Sequence, residues 1–269
     1  MNKRKTLIAG GDSFTFGHEL SDDQLGKVPS KKTRSFELYK TLFTTGDYVC
    51  TASAGYGNAA IARTVFNELH KYKSRDLLVV VMWTFTSRYD WAMPRHKLLK
   101  DSRWVAISPW DTDAGQTEAY KVLQGSQIQQ QIWAERSRES LETGVKPFAE
   151  SIYRYAANDY HETYLSWKSI IWLQNILEKK KIPYMFTLSD NSLFYKEMAH
   201  KKDQDKFMES LHNEINLENW YTFGERSMGF NQWAYLNEYE RGTTHPLDKA
   251  HQDAVKLMKP KFLKTIGGK

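Results

Sequence analysis

The chain has 269 residues, is 41% hydrophobic and carries a formal net charge of +6. That is enough for one large α/β domain or two small ones, and the basic surplus is scattered in short clusters, unlike the focused face or arm of a nucleic-acid protein. A lone cysteine, Cys50, excludes an internal disulfide and a cysteine-built zinc site.

The first apolar stretch, Thr6-Leu7-Ile8-Ala9-Gly10, reads as a short buried strand, followed by the turn Gly11-Asp12-Ser13-Phe14-Thr15-Phe16-Gly17. Residues 18–33 are polar and loop-like. Arg34 to Leu42 has helical spacing, and Asp47 to Ala52 reads as a second strand in which Cys50 packs as a buried apolar group. A glycine turn, Ala54-Gly55-Tyr56-Gly57-Asn58, leads into a helix from Ala59 to Tyr72. Asp76 to Thr84 contains the run Leu77-Leu78-Val79-Val80-Val81-Met82-Trp83, typical of a parallel strand covered on both faces. Thr163 to Lys180 reads as an amphipathic helix, Ile182 to Leu188 as a further strand and His251 to Lys264 as a closing helix. Lys179 to Lys181 complement the C-terminal end of the preceding helix as a solvated run.

This alternation implies an α/β fold of class α/β/α: a doubly wound, mostly parallel sheet in three layers, with a site at the strands' C-terminal edge. Ser13, Gly55 and Thr84 all fall there. The stretch at about 89–161 breaks the alternation with an aromatic-rich loop (Trp91, Trp104, Trp110) and a polar helical section around Thr117 to Thr143. With no proline- or glycine-rich linker at either end, it reads as a lid-like insertion on a single domain spanning 1–269. No stretch is apolar for long enough to cross a membrane, and the segment before Gly10 is too short for a signal-peptide core, which sets a cytoplasmic expectation.

A serine just past a strand end needs a base to become a nucleophile. One stands at His245-Pro246, inside Thr243-Thr244-His245-Pro246-Leu247-Asp248-Lys249-Ala250-His251. The early Gly11-Asp12-Ser13 and the late His245-Pro246…His251 together resemble the SGNH (GDSL-like) hydrolase family. That resemblance implies the flavodoxin-like variant of the fold, with Ser13 as nucleophile and its N–H as an oxyanion donor. It also implies a second donor in the N–H of Gly55, with Asn58 either orienting that loop or adding a donor, and His245 as general base. It implies no cofactor and a small-molecule ester as substrate.

Two family blocks depart. Where the family has Gly-x-Asn-Asp after the central strand, this chain has Trp83-Thr84-Phe85-Thr86-Ser87-Arg88, so Thr84, Thr86 or Arg88 stands in for the missing asparagine. Such an ending resembles a divergent branch found in phage and environmental sequences. The family aspartate three residues before the histidine is here Gly242. Glu240 is the candidate acid, with Asp248, Asp190 and a backbone carbonyl as alternatives. Asp12, Trp83 and Arg88 complete the expected set as substrate contacts.

Each residue also has a plainer reading. Ser13 could cap a helix, Gly55 and Gly57 could be ordinary turn glycines, and His251 is expected to pack under the loop. The remaining histidines (His18, His70, His96, His161, His200, His212) show no metal-ligand spacing. Three functions stay open: hydrolysis of a small-acyl ester, with an acetylated carbohydrate favoured by the aromatic insertion; an SGNH-fold binding or structural protein with a disabled site; and O-acyl transfer through the same serine.

Overall fold

The computed structural model describes residues 5–42, 46–93, 104–122, 127–195 and 206–266. Its elements in chain order are β1 (Thr6–Gly10), α1 (Ser13–Phe16), α2 (Arg34–Lys40), β2 (Tyr48–Cys50), α3 (Asn58–Leu69) and β3 (Leu77–Trp83). There follow β4 (Tyr89–Ala92), β5 (Trp104–Ile107), α4 (Asp113–Val122), α5 (Gln127–Thr143), α6 (Val145–Tyr155) and α7 (Asp159–Lys179). The chain closes with β6 (Tyr184–Leu188), α8 (Ser192–Tyr195), α9 (Lys206–Asn213), α10 (Phe230–Leu236) and α11 (Asp248–Ile266).

The central sheet has four strands in the order β2-β1-β3-β6, and every pairing is parallel. Strand period two sorts their side chains onto opposite faces. Ile8, Val79, Val81, Trp83, Phe186 and Leu188 pack with α3 and α7 through Ile61, Val65, Ile170 and Leu173. Leu7, Leu78, Val80, Met82 and Met185 pack on the other face with Leu38 of α2, Phe230 of α10 and Met258 and Phe262 of α11. The continuous apolar run in β3 is thus explained by helices on both sides, in a doubly wound, three-layer α/β/α arrangement. β2 is the sheet edge and half-buried, shorter than expected; Cys50 is half-buried too, although enclosure of its thiol pushes that group up to about 11. Among the described residues no helix is long and apolar enough to cross a membrane.

Register sets the ends of β1, β3 and β6 together, with Gly10 opposite Val81 and Val81 opposite Phe186. Directly beyond β1, Asp12 caps α1 by accepting from the Phe14 N–H at 3.1 Å. Gly17 closes that single turn at φ +92°, a left-handed conformation natural to glycine, and its N–H returns to the Ser13 carbonyl. The strand-to-helix joint therefore holds Ser13 at a fixed place on the sheet edge.

The stretch between β3 and α7 leaves the sheet at this same edge. Where the sequence suggested an aromatic loop and one polar helical section, there is an antiparallel hairpin, β4 with β5, and the three helices α4, α5 and α6. Tyr89, Ile107, Ala149 and Ile152 form its own small core. Arg63 of α3 grips Asp90 at 2.6 and 3.0 Å, and the Tyr153 hydroxyl donates to the Ser87 carbonyl, fastening the hairpin to the main body. Trp91 and Trp104 lie 48% and 42% exposed on the hairpin, away from the core.

Candidate active site

Ser13 and His245 meet although 232 positions separate them: His245 Nε2 stands 2.8 Å from Ser13 Oγ. The loop carrying His245 is drawn tight by a bridge between Arg241 and Pro246 and by the Gly242 N–H donating to the His245 carbonyl at 2.9 Å. Phe14 packs edge-on against the imidazole, ring centroids 4.6 Å apart. The far side of the ring is turned to Glu19, with Nδ1 at 3.3 Å from Oε2 and the Thr244 hydroxyl 2.7 Å from the same nitrogen.

The carboxylate beside His245 belongs to Glu19, a residue that sequence reading did not single out. Its Oε2 accepts the backbone N–H groups of Thr244 and His245 at 3.0 and 2.9 Å. Burial alone would raise its carboxyl, but the bonds from His245 and Thr244 outweigh that and hold it down at about 2. Its backbone sits at φ +66°, a conformation uncommon for a non-glycine residue, kept in place by its N–H donating to Asp23 Oδ2. Gly242 occupies the position expected for the acid, and a Cβ there would lie 2.5 Å from Glu19 Oε2. The Glu19 carboxylate, facing His245 Nδ1, fills the space that a side chain at position 242 would need, and glycine is what fits over it.

Among the described residues, none of the acids proposed from sequence is hydrogen-bonded or ion-paired to His245. Glu240 is exposed, and its carbonyl accepts from the Leu247 N–H. Asp248 holds Ser21 and Lys32, and Asp190 accepts the Ser192 N–H. His251 is buried as expected. Its Nδ1 accepts the Arg34 N–H at 3.2 Å, and burial pushes the imidazole well below its ordinary value.

Several other expected site residues are internal. Both Nδ2 protons of Asn58 are spent, on the Thr84 carbonyl and on Ser166 Oγ at 3.0 Å each, while its Oδ1 accepts the Thr84 N–H. Asn58 is therefore a latch joining α3, α7 and the end of β3, and it has no proton left for an oxyanion. The Thr84 hydroxyl donates to Asp12 Oδ2 at 2.6 Å and is buried. Thr86 is buried as well. Asp12 is fully enclosed and ion-paired to Arg88 at 2.9 Å, so it cannot reach substrate. Trp83 belongs to the core and is fully buried.

What remains at the surface is a cleft of about 510 Å³ lined by Ser13, His245, Glu19, Gly55 and Arg88. Gly55 stands at φ +79°, a left-handed conformation natural to glycine, and lines the same cleft as Ser13. Arg88 bridges Asp12, the Tyr56 carbonyl and the Thr84 hydroxyl through Nη1 and shows only 11% of its side chain. The opposite wall belongs to the insertion, where Trp110 and Trp133 lie 6.2 Å apart with Pro109 and Ala119 beside them. His18 also faces the cleft, 6.2 Å from His245, and burial keeps its imidazole below the ordinary value against the pull of Asp23. Among the described residues no group of three or more His, Cys, Asp or Glu could hold a metal; His96 and His200 lie outside them.

No family model matches the chain, and no curated protein matches it. Solved structures do resemble it. A lipolytic G-D-S-L family protein from Veillonella parvula is 11% identical over 98% of both chains, with a TM-score of 0.42. The psychrotrophic esterase EstA from a Pseudoalteromonas species is 9% identical over 98% of this chain and 97% of its own, TM-score 0.43. A Corynascus carbohydrate esterase of family 2, joined to a carbohydrate-binding domain, is 12% identical over 99% of this chain and 67% of its own, TM-score 0.44. These figures record a likeness and say nothing of chemistry, which rests on the distances above.

Proposed function

We propose that the protein is a serine ester hydrolase that works through an acyl-enzyme. The observation that carries this reading is the line of contacts Ser13 Oγ, His245 Nε2, His245 Nδ1, Glu19, with 2.8 Å at one end and 3.3 Å at the other. His245 takes the Ser13 proton as Oγ attacks the ester carbonyl, and the Glu19 carboxylate stabilises the imidazolium that results. The backbone N–H groups of Ser13 and Gly55 receive the oxyanion. His245 then passes its proton to the leaving alcohol, and a water activated by the same imidazole releases the acid. Transfer of the acyl group to a sugar hydroxyl would share every step before the water, and product analysis with sugar acceptors separates the two.

The substrate class follows from the cleft. Its volume suits a short acyl group on a larger alcohol, and the Trp110–Trp133 wall suits the flat face of a sugar or an aryl ring. The insertion acts as the lid over that substrate. Neither a nucleic acid nor a membrane is needed.

Fluorophosphonate labelling tests the reading. Phosphonylation of the peptide containing Ser13 in the native protein, together with turnover of p-nitrophenyl acetate, is the expected result. A protein that neither labels nor turns over would instead be an SGNH-like fold with a disabled site.

Arg88 takes the place of the absent block-three asparagine, contributing positive potential beside the oxyanion position while anchoring Asp12. Arg88→Met is expected to lower kcat by about 10–100-fold, less than the loss of a direct donor. Breaking a buried ion pair also costs about 3–5 kcal/mol, so the melting temperature falls too. Adding Asp12→Asn should recover most of the stability but none of the rate, which separates the two roles.

A further inference from the structure

Glu19 meets His245 through a crowded oxygen. Its Oε2 accepts the backbone N–H groups of Thr244 and His245 at 3.0 and 2.9 Å, and a carboxylate oxygen has two lone-pair directions. His245 Nδ1 lies 3.3 Å from that same atom, near enough to feel its charge but with no lone pair left for its proton. A nearer acceptor stands beside it. Thr244 Oγ1 is 2.7 Å from Nδ1 and 3.3 Å from Glu19 Oε1, the carboxylate oxygen that takes neither backbone N–H.

The carboxylate sets which atom donates along this line. The Glu19 carboxyl is held down at about 2, so at working pH it can only accept. The Thr244 hydroxyl has a single proton, which goes to Oε1. Its oxygen is then the acceptor towards the imidazole, and the proton between them belongs to Nδ1. A neutral imidazole carries one ring proton, so Nε2 is left bare to receive the proton of Ser13 Oγ at 2.8 Å.

The threonine is exposed but not loose. Its N–H is on Glu19, its carbonyl accepts Arg241 Nη2 at 2.7 Å, and Arg241 Nη1 is tied to Asn231 Oδ1 of α10 at 3.0 Å. A β-branched side chain on a backbone held at both ends has few χ1 rotamers open to it.

We propose that Thr244 is a positioning residue interposed between His245 and Glu19, whose hydroxyl holds the imidazole in the tautomer with its proton on Nδ1. The tautomer stands on the geometry; its part in turnover rests on the acyl-enzyme reading given above. When His245 takes the Ser13 proton at Nε2, Thr244 Oγ1 goes on accepting from Nδ1–H. No proton leaves the threonine or reaches Glu19.

Thr244→Val keeps the shape of the side chain and loses the hydroxyl, whereas Thr244→Ser keeps the hydroxyl. Ring-nitrogen NMR on protein carrying isotope-labelled histidine, with the His245 signals assigned by their loss in His245→Ala, reads the tautomer directly. At alkaline pH the native ring should carry its proton on Nδ1, Thr244→Val should shift it towards the Nε2–H form, and Thr244→Ser should restore it. With p-nitrophenyl acetate, kcat should fall about 10–30-fold in Thr244→Val at unchanged KM and return to within about threefold in Thr244→Ser. Melting temperatures should stay within about 2 °C of the native protein, since the substitution is at the surface. An unchanged tautomer in Thr244→Val, or a loss of rate that serine does not restore, would overturn the assignment. The NMR measurement needs no substrate, so failure of the hydrolase reading and failure of this one are told apart.

Discussion

Ser13→Ala is expected to lower kcat/KM for p-nitrophenyl acetate by about 10⁴–10⁶-fold, the loss that follows when a nucleophile is removed from a serine–histidine assembly. His245→Ala should cost nearly as much, because among the described residues the base hydrogen-bonded to Ser13 Oγ is His245, with Nε2 at 2.8 Å. The double variant should be no worse than either single one, since groups that act as a unit fail together. Both variants should fold, because Ser13 contributes no hydrogen bond beyond the imidazole through its side chain and His245 lies on a surface loop. Circular dichroism and melting temperature check that point. A residual rate shared by all three variants would measure what the oxyanion N–H groups contribute alone. Retention of wild-type rate in Ser13→Ala would end the acyl-enzyme reading.

Glu19→Gln is expected to cost about 10³–10⁴-fold in kcat with little change in KM, whereas Glu240→Gln should stay within about twofold of the native protein. The amide keeps the size of the carboxylate but cannot stabilise an imidazolium, and it can hold the imidazole in the wrong tautomer. The acid limb of the pH–rate profile should move towards lower pH in Glu19→Gln, a change that a purely structural role would not produce. Stability should respond as well. The Glu19 carboxyl is depressed from 4.5 to about 2, so the stability it confers is present above pH 4.5 and is lost as pH falls from there towards 2. Acid unfolding of Glu19→Gln should lack that component. Should Glu240→Gln prove the damaging substitution, the geometry described around His245 would have to be abandoned.

The difference between Glu19 and Glu240 shows where sequence reading stops. Apolar runs locate β1, β3 and β6 within a residue or two, because burial on both faces of a parallel strand leaves a signature that needs no partner to read. Helical spacing locates α2, α3 and α7 for the same reason. Ser13 and His245 are legible through local motifs. Glu19 has none: it lies in a polar loop, its backbone takes a left-handed conformation, and its partner is 226 positions away. The one available clue was negative, a glycine at 242 where an acid was expected. Asn58 and Thr84 failed in the opposite direction. The family resemblance implied an oxyanion role for them, but nothing in the sequence reveals that Thr84, Ser166 and Asp12 would take up their side-chain protons. Trp83 likewise ends a strand at the site's edge yet turns inward, since the parity of its position places it with Val79 and Val81.

The Glu19 carboxylate receives the backbone of Thr244 and His245, so one side chain gathers in a loop more than 220 positions further along the chain. During vectorial synthesis the serine and the acid leave the ribosome first, and the histidine follows only after every strand of the sheet has emerged. Throughout that interval the serine stands without a base, whatever the nascent chain has already folded. On the proposed mechanism, a chain cut anywhere before His245 lacks its base and is expected to be inert.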